Sequence, residues 1–258
     1  MVSDPVQDRI RQCTRCALHK VYSGPVPINL TQPGWLCIGE APGAEEDENG
    51  TPFSGPSGRF LRMRLREAGV QPSRTSFCNV ISCRPHANRT PSTYELQRCR
   101  GNLLAQINVA QPRVVILLGK TALTTIYPYG VLKQDIGRVL YWGKIDGHNV
   151  WMVPTWHPAY IIRPDGRQHE KKWKKHLEYA ASLIRGNPTF PTTCKVCGAD
   201  VGAYDVMAGA WCKYHYKEVP RQVWQDEMPG MGETFDPDHS TGKSVKRQKA
   251  RARKMGLI

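Results

Sequence analysis

Cys13 and Cys16 form a C-x-x-C pair near the start of the chain, and Cys83 and Cys99 flank a basic, proline-containing loop further on. Four thiols of this kind can hold zinc or an iron-sulfur cluster, and spacing alone leaves both open. Between the two pairs runs a glycine- and acid-rich segment, Gly39 to Gly58. In it Gly39-Glu40-Ala41-Pro42-Gly43 leads to Glu45, Glu46 and Asp47, and then to Gly50-Thr51-Pro52-Phe53-Ser54-Gly55. Glycines let a backbone pass close to a ligand, acids orient a water or stabilise a cation, and Phe53 offers a flat face to a ring. The plainer reading is an ordinary turn with solvated acids and a core Phe. Pro154-Thr155-Trp156-His157-Pro158-Ala159-Tyr160 adds a histidine just past an apolar run. A lone histidine is more often structural than catalytic, so this one needs support from elsewhere.

These residues need a frame to bring them together. Trp35 to Ile38, Cys78 to Ser82, Val114 to Leu118 and Val150 to Val153 are short apolar runs bounded by Gly, Pro or charge, as buried parallel strands are. A further strand is expected at Val139 to Trp142. Arg59 to Ala68 reads as a helix closed by Gly69. Pro91 to Val109 reads as a longer one, with Thr90 as N-cap and Pro91 at the first helical position. His169 to Arg185 carries Trp173, Leu177, Ala180, Ala181 and Ile184 on one face and Lys and His on the other. Strands alternating with helices predict an α/β layered sandwich around a parallel sheet. Ligands in such sheets bind beyond the carboxyl ends of the strands, which gathers Gly39 to Gly58, Arg84 to Arg89 and Pro154 to Arg163 on one rim.

The chain has 258 residues and a formal net charge of +14, enough length for one substantial core and a small appendage. Such a field favours a polyanion, of which a nucleic acid is the commonest; anionic membranes and plain solubility are the other readings. No apolar run approaches the roughly 20 residues of a membrane span, and the N-terminus carries charges where a signal peptide is apolar. A cytoplasmic protein of a bacterial, archaeal or phage-infected cell is expected, with nothing that requires a partner chain, so a monomer. Nine cysteines, an odd number, suit metal ligands and core thiols better than disulfides in that setting.

Residues 186–193 have the Pro, Gly and Thr content of a linker. Beyond it Cys194 and Cys197, then fourteen residues, then Cys212 and His215 form the pattern of a tetrahedral zinc site on a small knuckle-like module, residues 194–229. Residues 230–258 read as a basic, disordered tail, since Lys243 to Lys254 carries seven basic residues among twelve. It either adds non-specific affinity for phosphates or is merely a solvated end.

Three segments, GEAPGAEEDENGTPFSG (Gly39 to Gly55), CNVISCRPHANRTPS (Cys78 to Ser92) and PTWHPAYIIR (Pro154 to Arg163), resemble the iron-sulfur branch of the uracil-DNA glycosylase superfamily. CTRCALHK (Cys13 to Lys20) and Cys99 complete the resemblance, which extends over residues 8 to 185 with the motifs in family order. It implies a first domain of residues 1–185, a three-layer αβα sandwich around a four-stranded parallel sheet. It also implies a structural [4Fe-4S] cluster on Cys13, Cys16, Cys83 and Cys99, leaving Cys37 and Cys78 as core thiols.

The resemblance further implies that DNA is the partner and that a nucleotide is extruded into the pocket. By family position Phe53 stacks on the base and Asn79 reads its Watson-Crick edge through an amide that both donates and accepts. Ala41 lines the base where other branches carry an activating Asp. His157 donates to a carbonyl oxygen of the departing base, and Glu40 positions water and counters positive charge on the sugar, with Asp47 as the second acid candidate. Pro42, Gly43, Ser54, Gly55, Ser57, Pro158 and Ala159 pinch the flanking phosphates, with Arg84 and Arg89 as charge partners.

Ala44, Ser54 and His86 depart from the family pattern, which has an acid, a Val and a Pro there. The expected activity is that of a monofunctional DNA glycosylase that removes uracil or a modified pyrimidine and leaves an abasic site. Two alternatives stand beside it: a glycosylase for bulky modified phage bases acting in antiphage defence, and an inactive DNA-binding accessory of phage replication.

Overall fold

The computed structural model describes residues 4–127, 130–145 and 148–186. Cys194, Cys197, Cys212 and His215, the expected zinc ligands, lie outside the described residues, as do residues 187–193 of the expected linker and the basic tail. Gly186, expected to open that linker, is the last residue of a helix.

The described residues form a five-stranded sheet from β1 (Trp35–Gly39), β2 (Thr75–Asn79), β3 (Val114–Leu118), β4 (Leu140–Ile145) and β5 (His148–Thr155), in the order β2-β1-β3-β5-β4. The four neighbours β2, β1, β3 and β5 are parallel, as expected. β4 adds an antiparallel edge against β5, which is where the fifth apolar run goes. The second strand is shifted from its expected place: it runs Thr75–Asn79 and not Cys78 to Ser82, so Val80, Ile81 and Ser82 continue past the sheet although they are buried. Their apolar character comes from packing under a loop, which a hydrophobic run alone cannot distinguish from a strand.

The helices are α1 (Pro5–Arg11), α2 (Ala44–Asn49), α3 (Pro56–Glu67), α4 (Thr93–Ala110), α5 (Gly119–Ile126), α6 (Leu132–Asp135), α7 (Pro158–Ile161) and α8 (Glu170–Gly186). The long helix starts two residues later than Pro91, because Ser92, not Thr90, closes a reciprocal capping box with Glu95. Strand side chains alternate between two cores. Trp35, Cys37, Val114 and Ile116 face Leu61 and Leu65 of α3 and Trp173 and Leu177 of α8. Leu36, Ile38, Val115 and Leu117 face Leu103 and Ile107 of α4 and Leu123 of α5. Helices on both sides of the sheet make the three-layer sandwich. His176, expected on the solvated face of α8, is instead buried, with Nδ1 2.9 Å from the Thr155 hydroxyl.

From β1 the chain crosses to β2 on one side and later returns to β3 on the other. The strand order therefore reverses between β1 and β3, and a crevice opens there beyond the carboxyl ends.

Candidate active site

Every wall of this crevice begins where a strand stops. Glu40 follows β1, Asn79 is the last residue of β2, Gly119 follows β3, and His157 follows β5 by two residues. Together with Ala41, Pro42, Gly43, Phe53, Ser57, Arg89 and Ala159 they line one open cleft of about 510 Å³. Of the residues expected to act on a base, Glu40, Ala41, Phe53, Asn79 and His157 are thus brought together. Asp47 is not: it is buried outside the cleft, accepting the Ser23 backbone N–H at 3.1 Å. Ser54, Gly55, Arg84 and Pro158 also lie off the cleft lining.

Phe53 reaches its place through backbone strain. Its φ is +57°, a left-handed value that is costly for a bulky side chain. Two glycines make this possible. A Cβ on Gly58 would overlap the Phe53 carbonyl, and one on Gly39 would lie 2.6 Å from the tip of the Phe53 ring and strike the Asn79 amide oxygen. The Arg62 guanidinium donates to the carbonyls of Phe53 and Pro52 at 3.4 and 3.3 Å. The ring ends 5.6 Å from Phe77 and 6.3 Å from His157, centroid to centroid. Gly39 and Asn79 are paired in register across β1 and β2, so the ring and the amide meet over one side-chain-free position.

His157 is the N-cap of α7, its Nδ1 accepting the Ala159 N–H at 3.2 Å. Burial, and then the nearby Arg163 charge, lower its pKa from 6.5 to about 4. Gly119, with φ +89°, closes the other side; a Cβ there would lie 3.3 Å from that of His157.

The acid segment is neither a plain turn nor wholly solvated. It forms α2, and Glu46 is buried beneath the two glycine loops, accepting the N–H of Gly43 at 3.1 Å and of Gly55 at 2.8 Å. Glu40 accepts the Thr121 hydroxyl at 2.5 Å. Glu46, named in the sequence only as one of three acids of its segment, lines the cleft, as do Lys120, Thr121 and Arg163, for which the sequence suggested no role. Glu46 had a local signal, three residues after Gly43 at a helix start. Thr121 had none, because its partner lies 81 residues away. Arg89 is held by Glu95 in a two-pronged pair of 2.6 and 2.9 Å, and Arg84 bonds Asn88 and lies 4.3 Å over the Tyr22 ring.

On the α4 side Cys13, Cys16, Cys83 and Cys99 line one small cavity with His19, Ser82 and Asn102. The Ser82 N–H points to Cys99 Sγ and the Asn102 amide to Cys13 Sγ, each at 3.3 Å, the donor pattern that supports thiolate ligands. Among the described residues no three His, Cys, Asp or Glu side chains are grouped for a single metal ion. Cys37 and Cys78 are buried in the two cores, and burial pushes the Cys37 thiol up to about 12. No described helix is long and apolar enough to cross a membrane.

The family model of the Uracil DNA glycosylase superfamily matches residues 27–181. The chain is 33% identical over 192 residues to the Type-4 uracil-DNA glycosylase of Thermotoga maritima, covering 70% of this chain and 93% of that protein. It is 36% identical over 185 residues to the Type-4 uracil-DNA glycosylase of Pyrobaculum aerophilum, covering 70% and 94%. For the Type-4 uracil-DNA glycosylase of Archaeoglobus fulgidus the figure is 31% over 183 residues, covering 67% and 90%. With its motifs on the strand ends that line one cleft, the chain belongs to the uracil-DNA glycosylase superfamily.

Proposed function

We propose that this protein is a DNA N-glycosylase that hydrolyses the bond between uracil and deoxyribose and leaves an abasic site. The observation that carries it is the convergence of Glu40, Phe53, Asn79 and His157 on one cleft at the switch point of the sheet. Uracil as the base rests on the three relatives, each a Type-4 uracil-DNA glycosylase by name, and none of those names points to a bulky phage base. The assembled cleft favours activity over the inactive accessory.

An everted base enters with one face against Phe53 and its edge toward the Asn79 amide, which has no hydrogen-bond partner among the described residues. As the glycosidic bond lengthens, negative charge builds on the base and positive charge on the sugar. His157, with Nδ1 occupied by the Ala159 N–H, presents Nε2–H as a neutral donor to the base oxygen. The Glu40 carboxylate orients the attacking water and faces the sugar cation. The loops fixed by Glu46 flank the phosphates, while Lys120 and Arg163 add positive charge to the cleft.

The four clustered cysteines fit a [4Fe-4S] cluster in donor chemistry and in the two N–H groups directed at their sulfurs. Cys13 and Cys16 follow α1, Cys83 follows β2 and Cys99 lies in α4. The cluster would tie these segments together behind the cleft and supply no step of the reaction.

The test is alkali cleavage of oligonucleotides bearing a single uracil, hypoxanthine or modified cytosine. Strand scission at uracil is expected. Scission only at a modified cytosine would move the assignment to the modified-base reading, and none on any substrate would support the inactive accessory.

A further inference from the structure

The carboxylate of Glu40 is tethered across the switch point of the sheet. Glu40 leaves β1, whereas Thr121 stands in the first turn of α5 after β3, and the two are joined by the 2.5 Å hydrogen bond from Thr121 Oγ1 to Glu40 Oε2. The other carboxylate oxygen, Oε1, has no partner among the described residues, and both residues line the cleft. A free glutamate carries three side-chain rotors, and its carboxylate samples many orientations in an open cleft. Anchoring one oxygen removes most of that freedom and leaves the other to hold a water.

The turn that carries Thr121 is shaped for this placement. Gly119 takes φ +89°, which lets the chain reverse directly from β3 into α5, and its bare Cα lies against His157. One turn thus bounds the histidine with Gly119 and fixes the acid with Thr121. The Thr121 hydroxyl is spent on the Glu40 carboxylate, so any effect it has on the reaction runs through that acid.

We infer that Thr121 is a positioning residue for Glu40, fixing the carboxylate so that a single oxygen is presented to the attacking water. This rests on the glycosylase reading above. Holding a catalytic group in its productive orientation raises the rate of the chemical step more than it strengthens substrate binding. The loss of one hydrogen bond to a charged group corresponds to a rate decrease of about ten- to a hundredfold.

The test is single-turnover excision of uracil by the full-length protein and the variants Thr121→Val, Thr121→Ser, Glu40→Ala and the double variant Glu40→Ala/Thr121→Val. Affinity for an abasic-site duplex and the melting temperature are measured alongside. Thr121→Val, nearly isosteric, should lower the rate by the factor given while Kd for the duplex stays within about twofold. Thr121→Ser, which keeps the hydroxyl, should recover most of the rate. In the Glu40→Ala background Thr121→Val should cost nothing further, because the group it positions is gone. A Thr121→Val protein as fast as wild type overturns the inference, and so does an equal loss with and without Glu40. If Thr121→Val melts early, the Thr121→Ser rate decides: a serine variant as slow as Glu40→Ala overturns the inference, and one near wild type supports it. A wild-type protein that releases no uracil overturns the uracil-glycosylase reading, and this inference falls with it; a wild type that releases uracil isolates the outcome to Thr121.

Discussion

The Nδ1 atom of His157 accepts the backbone N–H of Ala159 at 3.2 Å, so the neutral ring carries its proton on Nε2. The same contact caps α7 and fixes which way the donor points. Tautomer and orientation are thus set by one residue of the motif acting on another two positions along.

Replacing His157 by Ala should lower single-turnover excision by about a hundred- to a thousandfold, the cost of losing one preorganised donor, with DNA affinity nearly unchanged. Because the pKa is lowered to about 4, the ring is neutral throughout the physiological range. Protonating Nδ1 would break the bond to Ala159, so this residue should contribute an acid limb near pH 4 and none near 6.5. Titration of the His157 ring by NMR at 6.5 would contradict the geometry.

Stability should fall on acidification. Burial first, then Arg163 for His157 and Lys172 for His176, hold both rings near 4 against 6.5 in the unfolded chain. Between those values the unfolded state binds more protons, so stability is lost as pH drops from 6.5 toward 4. Below that, Glu95, held near 2 chiefly by its hydrogen bonds from Arg89, loses its contribution as pH falls from 4.5 toward 2. Thermal melts from pH 7 to pH 3 test this: a constant melting temperature between 6.5 and 4 would show that the two histidines titrate normally.

Gly58→Ala should destabilise the protein by about 2 kcal/mol or more, since the new methyl group meets backbone and not a movable side-chain end. Relief requires Phe53 to leave its left-handed conformation, which withdraws the ring from the cleft. Excision should therefore fall further than DNA binding. A variant with unchanged melting temperature and activity would refute the wedge between Gly58 and Phe53.

Glu46→Ala removes the anchor shared by Gly43 and Gly55 and should cost about 3 kcal/mol in stability, for two charge-assisted hydrogen bonds lost from a buried position. The loosened loops should raise KM for DNA more than they lower kcat. Denaturant unfolding and steady-state excision together check both halves.

Protein purified without exposure to air should contain iron and acid-labile sulfide in equal amounts. Cys99→Ser should lose most of both together with thermal stability, since Cys99 is the one ligand that α4 would supply to the proposed cluster. Stoichiometric zinc in place of iron would overturn the cluster assignment.

Local features were legible along the chain for physical reasons. β1, β3 and β5 are apolar runs cut by Gly or Pro, and α8 shows its buried face as a periodic stripe. The end of β2 was misplaced because Val80 and Ile81 are as buried as the strand they follow. The acids of α2 hid their division of labour. Glu45 pairs with Arg59 on the surface, Glu46 clamps two loops, and Asp47 turns away toward Ser23, yet all three look alike in sequence.

By itself the sequence determined the layered α/β architecture, the cysteine set, and the strand-end motifs carrying Glu40, Phe53, Asn79 and His157. The architecture and the cysteine pairs depend on residue type, short spacing and periodicity, which are local properties, whereas the roles of Glu40, Phe53, Asn79 and His157 were implied by the resemblance of their motifs to the family. Only the tertiary structure decided that Asp47 stays out of the cleft, that Phe53 is held in a strained conformation by Gly58, and that Thr121 tethers Glu40. The tether joins residues 81 positions apart, whose meeting depends on the order of strands in the sheet, while Asp47 and Phe53 are placed by the exact backbone path of the segment after β1, which residue types alone do not fix.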